Sequence, residues 1–205
     1  EWKVDVTVGC SQKGLMLPPG LGLNAISEKA LEASKSNNFT RHFWDWNDML
    51  KANENFFYPS TPCTNLLFGL RESIRMLEEE GLDNVFNRHA RFGEAARRAV
   101  RTWGLEVLCL EPLEYSPVLT AVLMPEGKSA DALRKVVLEK FDMSLGNGLG
   151  KVADKVFRIG HLGDLNDLSL IGTLAGVEMG LELGGVKHTK GGVAAAMDYL
   201  SETAA

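Results

Sequence analysis

Gly9-Cys10-Ser11-Gln12-Lys13-Gly14-Leu15-Met16-Leu17-Pro18-Pro19-Gly20 is the stretch on which the reading of this chain turns. Ahead of it, Val4-Asp5-Val6-Thr7-Val8 alternates in a β-rich run that Gly9 ends, which predicts a strand whose end presents the amine of Lys13. Behind it, Pro18, Pro19, Gly20 and Gly22 force a tight, rigid loop, and Leu21, Leu23, Ala25 and Ile26 predict re-entry into the core. A lysine on an ordinary turn is a solvated cation. One held by fixed backbone near an apolar or cationic wall can become a Schiff-base former. Spacing leaves both readings open, because fragments this short recur by chance.

The 205 residues are 45% hydrophobic, enough for one large domain or two modest ones and too much for disorder. A formal charge of -5 argues against nonspecific binding to nucleic acid, which draws on a surplus of Lys and Arg. Cys10, Cys63 and Cys109 are too few and too scattered for a disulfide framework, and no Cys-x-x-Cys pair points to zinc, so no metal is expected. With no secretion signal and no peroxisomal tripeptide at Glu202-Thr203-Ala204-Ala205, a reducing, cytoplasmic setting is the expectation. A chain that starts at Glu1 on what reads as a central strand is expected to be a fragment of a longer α/β protein.

Beyond the lysine loop, Ser27 predicts an N-cap for a helix over residues 28–33 that packs on the sheet, dissolving in Ser34-Lys35-Ser36-Asn37-Asn38. Phe43, Trp44 and Trp46 beside Asp45 read as a lid or a subunit contact rather than a ligand site. In Phe56-Phe57-Tyr58-Pro59-Ser60-Thr61-Pro62, Thr61 and Pro62 read as an N-cap and first helical residue for a helix carrying Leu66, Leu67, Leu70, Ile74 and Leu77. Such a start is either a plain cap or a seat for phosphate. Glu78-Glu79-Glu80-Gly81 closes that helix and marks a boundary, giving units 1–81 and 82–205.

In the second unit, Leu82, Val85, Phe86, His89, Ala96, Val100 and Trp103 form an apolar stripe, with Arg88, Arg91 and Arg98 sharing part of the other face. Strands are predicted over 105–109 and 118–124, and a helix over 130–138 capped by Ser129. Gly146-Asn147-Gly148-Leu149-Gly150 lacks the spacing of a phosphate loop and reads as a flexible connection. Val156-Phe157-Arg158-Ile159-Gly160 reads as a strand with one arginine in an apolar run, answered either by a protein carboxylate or by a ligand's. His161 has no assigned role. Gly172, Gly176, Gly180 and Gly184 mark one ridge of a helix for close packing, and Glu178 and Glu182 argue against a membrane span. Residues 191–199 predict a last helix that docks late and frays.

The lysine stretch resembles the cofactor-lysine segment of class V aminotransferases of the pyridoxal-phosphate type, and within them the serine–glyoxylate group. The likeness continues through Trp44-Asp45-Trp46, residues 64–72, Ser116-Pro117-Val118-Leu119-Thr120 and residues 156–163, so it covers nearly the whole chain. It implies the C-terminal part of a type I pyridoxal-phosphate transferase fold. That is the end of the large α/β domain (1–81, with the cofactor lysine) followed by a small α+β domain (82–205). It further implies Lys13 as the catalytic residue, attached to pyridoxal 5'-phosphate, and Gln12 as a phosphate contact. Tyr58 and Thr61 would hold the phosphate of a neighbouring subunit in a homodimer, and Arg158 the substrate carboxylate. Serine would donate to glyoxylate. The phosphate-binding glycine turn, the stacking ring and the aspartate facing the pyridinium nitrogen have no counterpart in these residues, so little activity is expected of the 205 residues alone. Alanine as donor, another enzyme of the class, and a noncatalytic dimerisation fragment remain the alternatives.

Overall fold

A computed structural model describes residues 2–204; Glu1 and Ala205 lie outside the described residues. The contacts divide the chain into two units, Glu1–Glu79 and Glu80–Ala205.

In the first unit, β1 (Val6–Cys10) and β2 (Gly22–Ile26) form an antiparallel ribbon with Val6 opposite Ile26 and Cys10 opposite Gly22. The two strands stand where the sequence puts them, but neither re-enters a core. Val8 is 71% and Leu23 37% exposed, because a two-stranded ribbon has no third strand to cover either face. Ser27 caps α1 (Glu28–Lys35), accepting from the Ala30 amide at 3.1 Å, yet the helix buries none of its residues and does not pack as expected. Asp45 caps α2 (Trp46–Asn53) by accepting from the Asn47 amide and pairs with Arg41 at 3.2 Å; Phe43 and Trp44 stay exposed.

The third helix, α3 (Thr64–Glu80), begins two residues later than the sequence suggests. The first amide of the helical ladder, Leu67 N–H, is accepted by the Cys63 carbonyl, so Thr61 is not the cap and Pro62 is not the first helical residue. The end of α3 carries the division between units, which falls at Glu79, just ahead of the boundary read at Gly81.

The second unit is a four-stranded antiparallel sheet with helices about it. Its elements are α4 (Leu82–Thr102), β3 (Glu106–Val107), β4 (Leu119–Leu123), α5 (Ala130–Phe141), β5 (Gly146–Asn147), β6 (Val156–Gly160), α6 (Asp167–Leu183) and α7 (Gly192–Glu202), with strand order β3-β4-β6-β5. Ala96, Val100 and Trp103 of the stripe, and Phe92, which the stripe left out, join Val122, Phe157, Ile159, Leu174 and Leu181 in one core. The stripe is shorter than its apolar letters imply, since Leu82 and Phe86 are 57% and 62% exposed. Two of the arginines opposite, Arg88 and Arg91, tie elements together, while Arg98 stays exposed. Arg88 grips Glu80 at 2.6 Å and the carbonyls of Gly163 and Leu165, and Arg91 grips Asp167 at 2.6 Å.

The glycine ridge of α6 does admit a neighbour. A Cβ at Gly180 would fall 2.4 Å from Val137 Cγ2 of α5 and one at Gly176 2.6 Å from Met143 Cε, whereas Gly172 faces open space. No described helix is long and apolar enough to cross a membrane. The last helix is docked, not frayed. Glu178 accepts from the Trp103 indole at 2.7 Å and from the amides of Gly191 and Val193 at 2.9 and 3.0 Å, fixing the start of α7 onto α4. Burial pulls the Glu178 carboxyl upward, but these three donors together with nearby His188 outweigh it and hold it below the usual carboxylate value.

Candidate active site

Lys13 sits in a turn that its neighbours fix at both ends. Ser11 is fully buried and makes four bonds. Its amide donates to the Leu21 carbonyl (3.2 Å), its carbonyl accepts from Leu17 N–H (3.0 Å), and its hydroxyl donates to the Pro18 carbonyl (2.8 Å) while accepting from Leu21 N–H (3.2 Å). The turn closes where Met16 N–H donates to the Lys13 carbonyl at 2.9 Å, with Met16 in left-handed backbone at φ 57, a conformation that costs a non-glycine residue about 1 kcal/mol. Such a cost persists only where the surroundings over-determine the loop.

Helix α3 supplies those surroundings along one face, Leu66, Gly69 and Ser73. The Ser73 hydroxyl, 4% exposed, donates to the Leu15 carbonyl at 2.5 Å. A Cβ at Gly69 would lie 2.7 Å from Leu17 Cδ2, so the loop beds against helix backbone there. The side chains of Gln12 and Lys13 are exposed, and neither side chain makes a hydrogen bond or ion pair among the described residues. The backbone is held and the amine is left to project.

Tyr58 and Thr61 lie on the irregular segment that leads into α3, Tyr58 at 42% exposure and Thr61 exposed as well; neither hydroxyl has a partner among the described residues. The structure thus brings Gln12, Lys13, Tyr58 and Thr61 into one unit, and Arg158 belongs to the other. On β6, Arg158 stands opposite Ala121 of β4 on one side and Gly146 of β5 on the other. It forms no ion pair among the described residues, and its Nε is buried with no hydrogen-bond partner. The salt-bridge alternative for this arginine therefore finds no acid to complete it.

Ser11, Ser73 and Gly69 are the site residues that the sequence reading passed over. Gly69 and Ser73, small and four apart on a helix otherwise read through its leucines, were the available signal. Among the described residues no three His, Cys, Asp or Glu cluster as metal ligands, and all three cysteines are unbridged.

His161 is a buried core histidine, its Nε2 sharing a hydrogen bond with Thr120 Oγ1 at 3.0 Å. Burial above all depresses it to about 4 from 6.5; the Pro117 carbonyl pulls the other way, and Arg97 and His89 add to the depression. Between those values the unfolded chain takes up a proton that the folded chain refuses. Stability should therefore fall as pH drops from about 6.5 and level off near 4, by on the order of 3 kcal/mol from this residue. Melting curves from pH 7 to 4 should show that slope shrinking in His161→Phe; an unchanged slope would place the acid sensitivity elsewhere.

No family model matches the sequence. It is 50% identical over 208 aligned residues to the serine–glyoxylate aminotransferase of Methylorubrum extorquens and 48% identical over 203 to that of Arabidopsis thaliana, in each case across 98% of this chain. Those alignments cover 52% and 50% of the relatives, so the chain spans about half the length of the curated relatives it matches. Among solved structures, pyridoxamine–pyruvate aminotransferase from Mesorhizobium loti superposes with a TM-score of 0.90 at 29% identity, over 98% of this chain and 53% of that one.

Proposed function

We propose, because this chain belongs to the class V pyridoxal-phosphate aminotransferases, that it supplies the cofactor lysine, a phosphate clasp and the substrate-carboxylate arginine of an enzyme moving the amino group of serine to glyoxylate. The products would be hydroxypyruvate and glycine. The observation that carries this reading is the lysine loop, whose backbone is bonded at Ser11, Lys13, Leu15, Leu17, Pro18 and Leu21 while the Lys13 amine has no partner among the described residues. The remaining donors fit the same group. Gln12, Tyr58 and Thr61 offer an amide and two uncommitted hydroxyls suited to phosphate, and Arg158 offers an unanswered guanidinium suited to a carboxylate.

When bound, pyridoxal phosphate supplies the aldehyde carbon that captures an amine and the electron sink that makes the α-proton acidic. Lys13 Nζ would hold the cofactor, and the same amine would take the α-proton as general base and return it as general acid. Gln12 steadies the phosphate beside the lysine. Tyr58 and Thr61 donate to the phosphate bound by a neighbouring subunit, which makes the working unit a homodimer. Arg158 orients the α-carboxylate through parallel N–H donors. In this reading residues 1–81 are the remainder of the large cofactor domain, residues 82–205 are the small domain, and the setting is cytoplasmic.

The test joins these 205 residues to the unmatched half of one of the serine–glyoxylate relatives and offers glyoxylate with serine, alanine or aspartate as donor. Serine should give glycine with a kcat/KM about tenfold or more above the other two. A preference for alanine or aspartate would overturn the donor, and no glycine from any donor by a folded, dimeric hybrid would leave a noncatalytic role. The 205 residues alone should turn over little, since they span half of the relatives' length.

A further inference from the structure

The segment Gly146-Asn147-Gly148-Leu149-Gly150 reads as a flexible connection in the sequence, and the structure makes its first two residues the edge strand beside Arg158. Gly146 pairs with Arg158 and Asn147 with Phe157, and the strand is anchored from behind where Arg134 Nε donates to the Leu145 carbonyl at 2.9 Å. Directly opposed residues in an antiparallel pair ordinarily keep their Cβ atoms about 4.5–5.5 Å apart. A Cβ built on Gly146 would lie 3.0 Å from Arg158 Cβ, 3.1 Å from its Nε and 3.5 Å from its Cζ. The first of these contacts decides the matter. Arg158 Cβ is fixed to a strand held between β4 and β5, so swinging the arginine about its side-chain torsions relieves the clash with Nε but not the clash with Cβ.

We propose that Gly146 is a positioning residue for Arg158. Its missing side chain lets the guanidinium lie flat across β5, with Nε covered and the two terminal nitrogens presented end-on to a ligand carboxylate. Two independent observations meet in this assignment. The near-contact runs along the arginine from Cβ to Cζ, and Nε is the Arg158 nitrogen that is buried without a partner; the terminal pair also lacks a hydrogen bond among the described residues but keeps contact with solvent. A carboxylate taken by the terminal pair would meet a fork whose direction is set by the strand edge, not by a partner acid. The proposal rests on Arg158 being the carboxylate site, and it adds the residue that aims it.

The experiment follows the Arg158 Nε–Hε signal by 15N NMR in the 205-residue chain during titration with glycolate, a small carboxylate that does not react with amines. The Arg91 signal, locked on Asp167, serves as the internal control. In the unmodified chain the Arg158 signal should move and the Arg91 signal should not. In Gly146→Ala the same movement should require about tenfold more glycolate, because the fork has turned away from its aim. Movement at equal glycolate in both chains overturns the positioning role and leaves Arg158 as the carboxylate site. An Arg158 signal indifferent to glycolate in the unmodified chain overturns both. Should Gly146→Ala fail to give a dispersed amide spectrum, proton exchange at Arg158 Nε in the unmodified chain decides. Exchange about tenfold slower than at exposed Arg71 supports the covering strand edge, and equal exchange rules it out.

Discussion

Replacing Lys13 with alanine is expected to remove both the covalent attachment of pyridoxal phosphate and transamination, with kcat/KM falling by about 10³-fold or more. The size follows from the two tasks the proposed function lays on one nitrogen, since attachment and proton transfer would each depend on an amine at that place. The fold should be untouched. The Lys13 side chain is exposed and makes no bond among the described residues, while the loop is held by Ser11, Leu17, Leu21 and Ser73. Lys13→Arg separates charge from chemistry, because a guanidinium keeps the positive charge yet neither condenses with an aldehyde nor gives up a proton near neutral pH. The measurement is borohydride trapping in the hybrid enzyme, with the modified lysine located by peptide mass spectrometry. An adduct on Lys13 that vanishes in both variants is the expected result. An adduct on another lysine, or turnover that survives Lys13→Ala, would dismantle the assignment.

Much of this arrangement is legible in the sequence, and the illegible parts have a common cause. Lys13, its flanking strands and the Pro-Gly loop are local features, written in neighbouring letters; so are the Ser27 and Ser129 caps, whose hydroxyls accept from the amides of Ala30 and Ala132. The strand around Arg158 is bounded the same way. What does not show is whatever depends on a partner far along the chain. Ser73 looks like any polar residue of a surface helix until its hydroxyl meets the Leu15 carbonyl, 58 residues away. Leu23 has the letter of a core strand residue, yet its ribbon has only two strands among the described residues and leaves it exposed. Gly146-Asn147-Gly148 has the composition of a loose loop, because glycine signals both flexibility and close approach. Only the second neighbour, Arg158, says which applies.

The arginine supplies the second large effect, and it separates a ligand role from a structural one by moving two measurements in opposite directions. Arg158→Met removes the two parallel donors offered to a substrate carboxylate. Hydrogen bonds to charged groups contribute about 1.5–3 kcal/mol each, so kcat/KM for serine and for glyoxylate should fall roughly 100-fold or more. Both substrates carry the carboxylate, and both should lose. Arg158→Lys keeps the charge without the fork and should recover only part of the loss. Were Arg158 instead one arm of a structural ion pair, removing it would strand a buried acid and destabilise the fold by several kcal/mol. No acid answers it among the described residues, and its buried Nε has no acceptor, so in the unliganded chain the guanidinium is a net cost. Methionine at 158 should therefore leave the unliganded protein as stable or raise its midpoint in urea by an amount worth about 1 kcal/mol, while the catalytic constant collapses. Urea unfolding of the 205 residues and steady-state kinetics of the hybrid read the two quantities separately. A variant that loses stability and activity together would return Arg158 to the framework and leave the substrate carboxylate without its holder.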